Sequence, residues 1–285
     1  ATVVAGGTVD LGSGTDTLQL NGVANTIAVA GVEALLGTTG ADTLTLSAAA
    51  TIATLNLGSG TDTLILATAG TSSLGLSNVE VLTGSTGIDV VVLTAAQTGT
   101  TINLGSGSDT LTLAAGANTI TATSIELIGG STSADTLTLG AAVTAGTIDL
   151  GSGTDTLVLA AAGSTLAIAG VESLTGGTGA DVVTVTTAAG AGTTVDLGSG
   201  TDTLILAAAT NTLGASNVEV IKGSTGADVL VLATVVAGGT VDLGSGTDTL
   251  KLAAGTNSLT ATAIEAIMGS TGTDLLTLAI AAAGI

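Results

Sequence analysis

The sequence predicts an all-β chain, a parallel β-solenoid of stacked coils, on three observations. A word written most cleanly as Ile148-Asp149-Leu150-Gly151-Ser152-Gly153-Thr154-Asp155-Thr156-Leu157-Val158-Leu159 occurs six times, at gaps of 46 or 47 residues. A looser cousin, best seen at Gly176-Gly177-Thr178-Gly179-Ala180-Asp181-Val182-Val183, falls between each pair. All twelve turns share one polarity, turn then Asp then alternating apolar run. An antiparallel meander would alternate two turn types. Self-similarity at a fixed period marks a repeat architecture, in which neighbouring repeats bury each other's apolar rows.

The elements of one period follow in order from Asp155. Asp155-Thr156-Leu157-Val158-Leu159 alternates, with Leu157 and Leu159 on one face, the signature of a half-buried strand. Ala160 to Ser164 is a small-residue loop. Thr165 to Thr175 reads as a return strand with Leu166, Ile168, Val171 and Leu174 as its apolar positions. Gly176 to Ala180 turns the chain, Asp181 to Val185 starts the next strand, and Thr193 to Leu197 returns to Gly198. Each period thus divides into half-repeats of about 26 and 20 residues, each expected to form one coil, the alternative being one large coil per period and six in all. The whole of 1–285 is then a single array of twelve coils, a rod of roughly 55–60 Å at ~4.8 Å per coil. The Ala-rich pieces at Ala48-Ala49-Ala50 and Ala281-Ala282-Ala283 are too short to nucleate helices.

Composition narrows the function classes. The chain has no Phe, Trp, Tyr, Pro, His or Cys, and 44 of its 285 residues are Gly. A core of stacked Leu, Val, Ile and Ala rows does not need aromatics. The formal charge is −20, from 22 carboxylates against Lys222 and Lys251. Phosphate contacts need Lys and Arg, so nucleic acid is excluded as a partner and anionic lipid is disfavoured. Cations are the expected partners. No apolar run is long enough for a membrane span, so membrane insertion is not expected, and no signal peptide opens the chain. An enzyme is not expected either: without His, Cys or Tyr, acid-base or nucleophilic work would fall to carboxylates repeated every 46 residues. Ala1 to Leu18 is identical to Ala233 to Leu250, so the chain starts and stops inside the pattern. That suggests an excerpt of a longer array, or a processed unit whose ends meet other copies.

Gly176-Gly177-Thr178-Gly179-Ala180-Asp181-Val182-Val183-Thr184 resembles, position for position, the nonapeptide of the hemolysin-type calcium-binding (RTX) repeats. Gly37-Thr38-Thr39-Gly40-Ala41-Asp42, Gly84-Ser85-Thr86-Gly87-Ile88-Asp89, Gly223-Ser224-Thr225-Gly226-Ala227-Asp228 and Gly269-Ser270-Thr271-Gly272-Thr273-Asp274 keep both glycines and the Asp. Gly130-Ser131-Thr132-Ser133-Ala134-Asp135 loses the second Gly. The tighter class, as in Leu104-Gly105-Ser106-Gly107-Ser108-Asp109, has Leu in place of the first Gly. The resemblance implies a β-roll-like fold of the kind found in secreted bacterial surface-layer and adhesin proteins. It also implies Ca2+ held between successive turns by Asp16, Asp42, Asp62, Asp89, Asp109, Asp135, Asp155, Asp181, Asp202, Asp228, Asp248 and Asp274. Turn carbonyls and carboxylates are the hard oxygen donors that Ca2+ selects. Eleven gaps holding divalent ions would carry about +22, close to the magnitude of the formal charge. With 11 to 18 residues between motifs, such columns require the twelve turns to share one edge. The competing expectation is that each Asp caps its own turn by accepting backbone N–H groups.

Two further columns accompany the turns. Glu33, Glu80, Glu126, Glu172, Glu219 and Glu265 stand nine residues before the looser-class Asp, as solvated residues or auxiliary cation ligands. Asp10, Asn56, Asn103, Asp149, Asp196 and Asp242 precede the tight-class Asp by six. Asn at two of these six positions favours a turn hydrogen bond over a ligand. The outward positions include Thr17/Gln19, Thr63/Ile65, Val90/Val92, Thr110/Thr112 and Thr249/Lys251. Ordered Thr rows would mark an ice-binding plane, but Gln, Lys and aliphatic residues interrupt them. A neighbouring molecule covering the face explains the apolar ones better. Taken together, these features predict an extracellular, secreted structural protein. It would be a calcium-stiffened solenoid assembling with copies of itself, end to end or laterally, into a surface layer, sheath or filament. The alternative is the repetitive stalk of a large secreted adhesin.

Overall fold

The computed structural model describes residues 5–67 and 70–279, and every regular element among them is a β-strand. The thirty strands build a parallel β-solenoid of about fourteen turns, near the twelve expected. The chain divides into two compact units, Ala1–Gly140 with Leu150–Gly153, and Ala141–Asp149 with Thr154–Ile285.

Within each unit, successive strands alternate between two sheets, and each pairs in parallel with the strand two along. In the first unit Thr26–Ala30, Thr43–Leu46, Thr63–Ile65 and Val81–Ser85 are consecutive in one sheet. Ser72–Ser77, Asp89–Leu93, Thr110–Thr112 and Leu127–Ser131 are consecutive in the other. The second unit repeats the scheme, with Thr165–Ala169, Val182–Val185, Thr203–Ile205 and Val220–Ser224 in one sheet. Thr212–Ser216, Val229–Leu232 and Thr249–Lys251 lie in its other sheet.

A turn of the solenoid takes 17 to 22 residues, as the spacing of bonded residues in adjacent turns shows. One 46- or 47-residue repeat therefore spans five strands, two and a half turns, and not the two coils its half-repeats suggest. The half turn has a consequence. Thr17–Gln19 and Thr110–Thr112 share one sheet while the equivalent Thr63–Ile65 lies in the other. In the second unit Thr156–Val158 and Thr249–Lys251 lie opposite Thr203–Ile205. The same sequence word thus faces alternate sides from one repeat to the next.

The core follows from the period of two. In Thr-Leu-Thr-Leu stretches the Leu side chains point inward and stack on their equivalents. Ile27, Leu44, Leu64, Leu82 and Ile102 form one such column, each within a few per cent of full burial. Leu166, Val183, Leu204, Ile221 and Val241 form another in the second unit. Each buried aliphatic side chain contributes about 1.5–3 kcal/mol relative to exposure. A column of β- or γ-branched aliphatics fills the narrow space between two sheets without an aromatic ring.

Candidate cation-binding edges

The two classes of turn stack residue on residue. Leu36 pairs with Asn56 and Thr38 with Gly58, which sets Gly37 of the looser class against Leu57 of the tighter one. A side chain at Gly37 would strike the Leu57 carbonyl, and one at Gly84, Gly176 or Gly223 would strike that of Leu104, Leu197 or Leu243. In five of the six tight-class turns the Leu that replaces the first Gly is a core residue: Leu57, Leu104, Leu150, Leu197 and Leu243 are fully buried, whereas Leu11 is exposed. This departure from the motif lets the strand run up to the turn.

Stacking places the turn carboxylates in vertical ladders. On one edge of the first unit, Asn25 N–H donates to Asp42 Oδ1 (2.8 Å), Asp42 N–H to Asp62 Oδ1 (2.7 Å) and Asp62 N–H to Glu80 Oε2 (2.7 Å). On the other edge, Ser72 N–H donates to Asp89 (3.3 Å), Asp89 N–H to Asp109 (2.7 Å) and Asp109 N–H to Glu126 (2.8 Å). The second unit repeats the order as Ser164, Asp181, Asp202 and Glu219 on one edge. Asn211, Asp228, Asp248 and Glu265 run down the other. Asp16 donates to Glu33, Asp155 to Glu172, Asn118 to Asp135 and Asn257 to Asp274 in the same way.

Two expectations are corrected here. The twelve Asp turns do not share one edge; because a repeat spans two and a half turns, they fall in short runs on two. The six Glu residues are partly or fully exposed, as a solvated residue would be, but they are not a separate column. They close each ladder by accepting the N–H of the tight-class Asp one turn earlier. The capping reading is also redirected, since Oδ1 serves the preceding turn and not its own. Asp89, Asp135 and Asp181 do both, with Oδ2 accepting the Ser85 and Ser131 N–H and hydroxyl and the Gly177 N–H.

The head of each ladder escaped the sequence reading. Asn25, Ser72, Asn118, Ser164, Asn211 and Asn257 each stand 17 residues before a looser-class Asp. That constant offset was the available signal. The Asn side chains also donate: Asn118 Nδ2 reaches the Ala114 and Gly116 carbonyls and Asp135 Oδ1. The third column behaves as expected. Asp10, Asn56, Asn103, Asp196 and Asp242 accept the N–H two residues on, at 2.9 to 3.1 Å, closing Asx turns.

Most of the ladder Asp residues are buried. Asp42, Asp62, Asp89, Asp109, Asp155, Asp181, Asp202, Asp228 and Asp248 are 0% exposed. Burial pushes Asp62, Asp109, Asp202 and Asp248 above the usual carboxylate range; the N–H of the preceding Asp partly offsets this, and neighbouring carboxylates add to it. Half-exposed Asp274 is held below that range by the Asn257 side-chain amide and N–H.

Oδ2 of Asp16, Asp42, Asp62, Asp109, Asp202, Asp228 and Asp248 is buried without a hydrogen-bond partner. A buried carboxylate oxygen in that state demands a proton or a cation. Carbonyls lie close by. A methyl at Gly200 would sit 2.6 Å from Gly179 O and 2.9 Å from Asp202 Oδ1. The edge therefore offers the carboxylate and carbonyl oxygens that fit Ca2+. Among the described residues no three carboxylates converge as a cage, so carbonyls must complete any ligand set.

No family model matches the sequence, and no curated protein matches it. In fold the chain is similar to the crystal structure of a hyperactive, Ca2+-dependent, β-helical antifreeze protein from an Antarctic bacterium. The two share 22% identity with a TM-score of 0.30, over 98% of this chain and 81% of that one.

Proposed function

We propose that this chain is an extracellular structural protein, a calcium-stabilised solenoid whose copies assemble into a surface layer, sheath or filament. The observation that carries the reading is the run of fully buried Asp residues whose Oδ2 atoms have no donor, repeated on both edges of each unit. A fold that buries like charges this way is stiff only when they are neutralised, and divalent cations do so without adding a side chain. The residues that would hold them are the twelve Asp named above, with the Gly-rich turn carbonyls beside them. Bound calcium would supply local positive charge; the chain's own contribution is to fix the oxygens by stacking.

The core columns and ladders repeat along each unit, which suits a building unit. Calcium titration of chelator-treated protein tests the reading, followed by melting temperature and by negative-stain imaging. The expected result is a concentration-dependent rise in Tm and ordered assemblies. An unchanged Tm sinks the calcium part, and a protein that stays monomeric sinks the assembly part.

A further inference from the structure

We infer that the cation sites along the edges are unequal, and that the stacked pairs Asp42–Asp62 and Asp228–Asp248 are the two tight ones. The inference rests on the calcium reading above and ranks the sites within it. The rank is set by a donor in the turn, four residues before the first Asp of each pair.

Stacking makes the pairs alike in their first oxygen. Asp42, Asp89, Asp181 and Asp228 each donate N–H to Oδ1 of the tight-class Asp one turn on, at 2.7 Å. The acceptors are Asp62, Asp109, Asp202 and Asp248, and all eight residues are fully buried. Adjacent turns stand ~4.8 Å apart, so each pair sets two carboxylates one stacking step from each other. The difference lies in Oδ2 of the looser-class Asp.

Ser85 donates both its N–H (3.1 Å) and its hydroxyl (3.0 Å) to Asp89 Oδ2. Asp181 has Gly177 at that place and receives its N–H alone, at 3.4 Å. Asp42 and Asp228 receive neither donor. The Ser224 hydroxyl turns away to the Ala207 carbonyl, and Asp228 Oδ2 is buried without a partner. Thr38 Oγ1 and Asp42 Oδ2 are likewise both buried and unpaired. Oδ2 of Asp62, Asp109, Asp202 and Asp248 is unpaired in every case. Asp42–Asp62 and Asp228–Asp248 therefore hold two unpaired carboxylate oxygens each, and the other two pairs hold one.

Calcium affinity follows the number of charged oxygens a site can offer. An Oδ2 that already accepts an N–H and a hydroxyl has its charge met, and a cation must displace those donors. An unpaired, buried Oδ2 carries the full cost of its burial until a cation arrives, and that cost is returned on binding. Carbonyls stand beside both favoured pairs. A methyl at Gly60 would lie 2.4 Å from Gly40 O, and one at Gly246 would lie 2.2 Å from Gly226 O and 3.0 Å from Asp248 Oδ1. One favoured pair falls in each compact unit.

Calorimetric titration of the chelator-treated chain with calcium chloride tests the ranking, with circular dichroism as the check on folding. The parent chain should show two tight sites, separated from the rest by about tenfold or more in Kd. Asp42→Asn and Asp228→Asn should each remove one tight site, whereas Asp89→Asn should lower only the count of weaker ones. Ser85→Ala leaves every carboxylate in place while stripping a donor from Asp89, so it should tighten its pair by about threefold or more. If all sites bind alike, if Asp89→Asn removes a tight site, or if Ser85→Ala changes nothing, the inference is overturned and the calcium reading stands. If the parent chain binds no calcium, both fall.

Discussion

At the scale of single residues, the ladder turns an acidic residue into a backbone cap for the next turn. Asp62 shows the two roles that follow. Its Oδ1 accepts the buried Asp42 N–H, and its Oδ2 is left over. Asp62→Ala should cost about 1–3 kcal/mol in chemical denaturation, the penalty for an unsatisfied buried donor. Asp62→Asn keeps an acceptor while removing a buried charge, so in chelator its stability should equal or exceed that of the parent chain. In calcium the ordering should reverse. Among the described residues four non-glycine residues adopt left-handed backbone, Asn78, Ser124, Asn217 and Ala263, each two residues before a ladder Glu. Asn tolerates this conformation, whereas Ala263, at φ 51°, has no side-chain hydrogen bond to compensate. Ala263→Gly should therefore stabilise the fold by about 1 kcal/mol, measurable as a higher denaturation midpoint. The ladder heads were legible in principle at a constant offset of 17. Ser and Asn carry no charge, so nothing but that offset marks them in the sequence.

At the scale of the element, the unit of structure is a strand and the turn that admits it. Gly105 has φ 94°, and a side chain there would strike the Ser85 carbonyl of the preceding turn. Gly105→Ala should destabilise by well over 1 kcal/mol, since conformation and stacking both oppose it. Leu64 lies between Leu44 and Leu82 with no exposed surface. Leu64→Ala should cost about 2–5 kcal/mol, read from urea unfolding, because flanking turns held by their own ladders cannot collapse into the gap. Strand polarity, the inward Leu positions and the Asx turns were all legible from period-two alternation and turn chemistry. The number of strands per repeat was not. Val81–Ser85, after Glu80, resembles a continuing return segment in sequence, yet it is a separate strand because Asn78, at φ 53°, breaks the chain's extended run before it.

At the scale of the molecule, the buried carboxylates make stability depend on protons and cations. Asp62, Asp109, Asp202 and Asp248 bind protons more tightly when folded than at their unfolded value of 3.8. The folded state therefore holds more protons than the unfolded one just above that value, and stability falls as pH rises through the raised folded values. Asp274 contributes with the opposite sign: its stabilisation is present above 3.8 and lost as pH falls. Four groups against one should leave the chelated protein with a higher Tm near about pH 4 than near about pH 8, and calcium should remove most of that difference. A Tm that rises from acid to neutral pH in chelator would contradict the burial account. By itself the sequence determined an all-β parallel solenoid with aliphatic core columns and a recurring acidic turn, because alternation and glycine placement act within a few residues of each other. Only the tertiary structure decided that a repeat is two and a half turns, that the acidic turns divide between two edges, and that Glu joins Asp in one ladder. Those facts depend on where the chain lies after a whole circuit of 17 to 22 residues. The length of that circuit is set by stacking against the turns on either side, which no local pattern records.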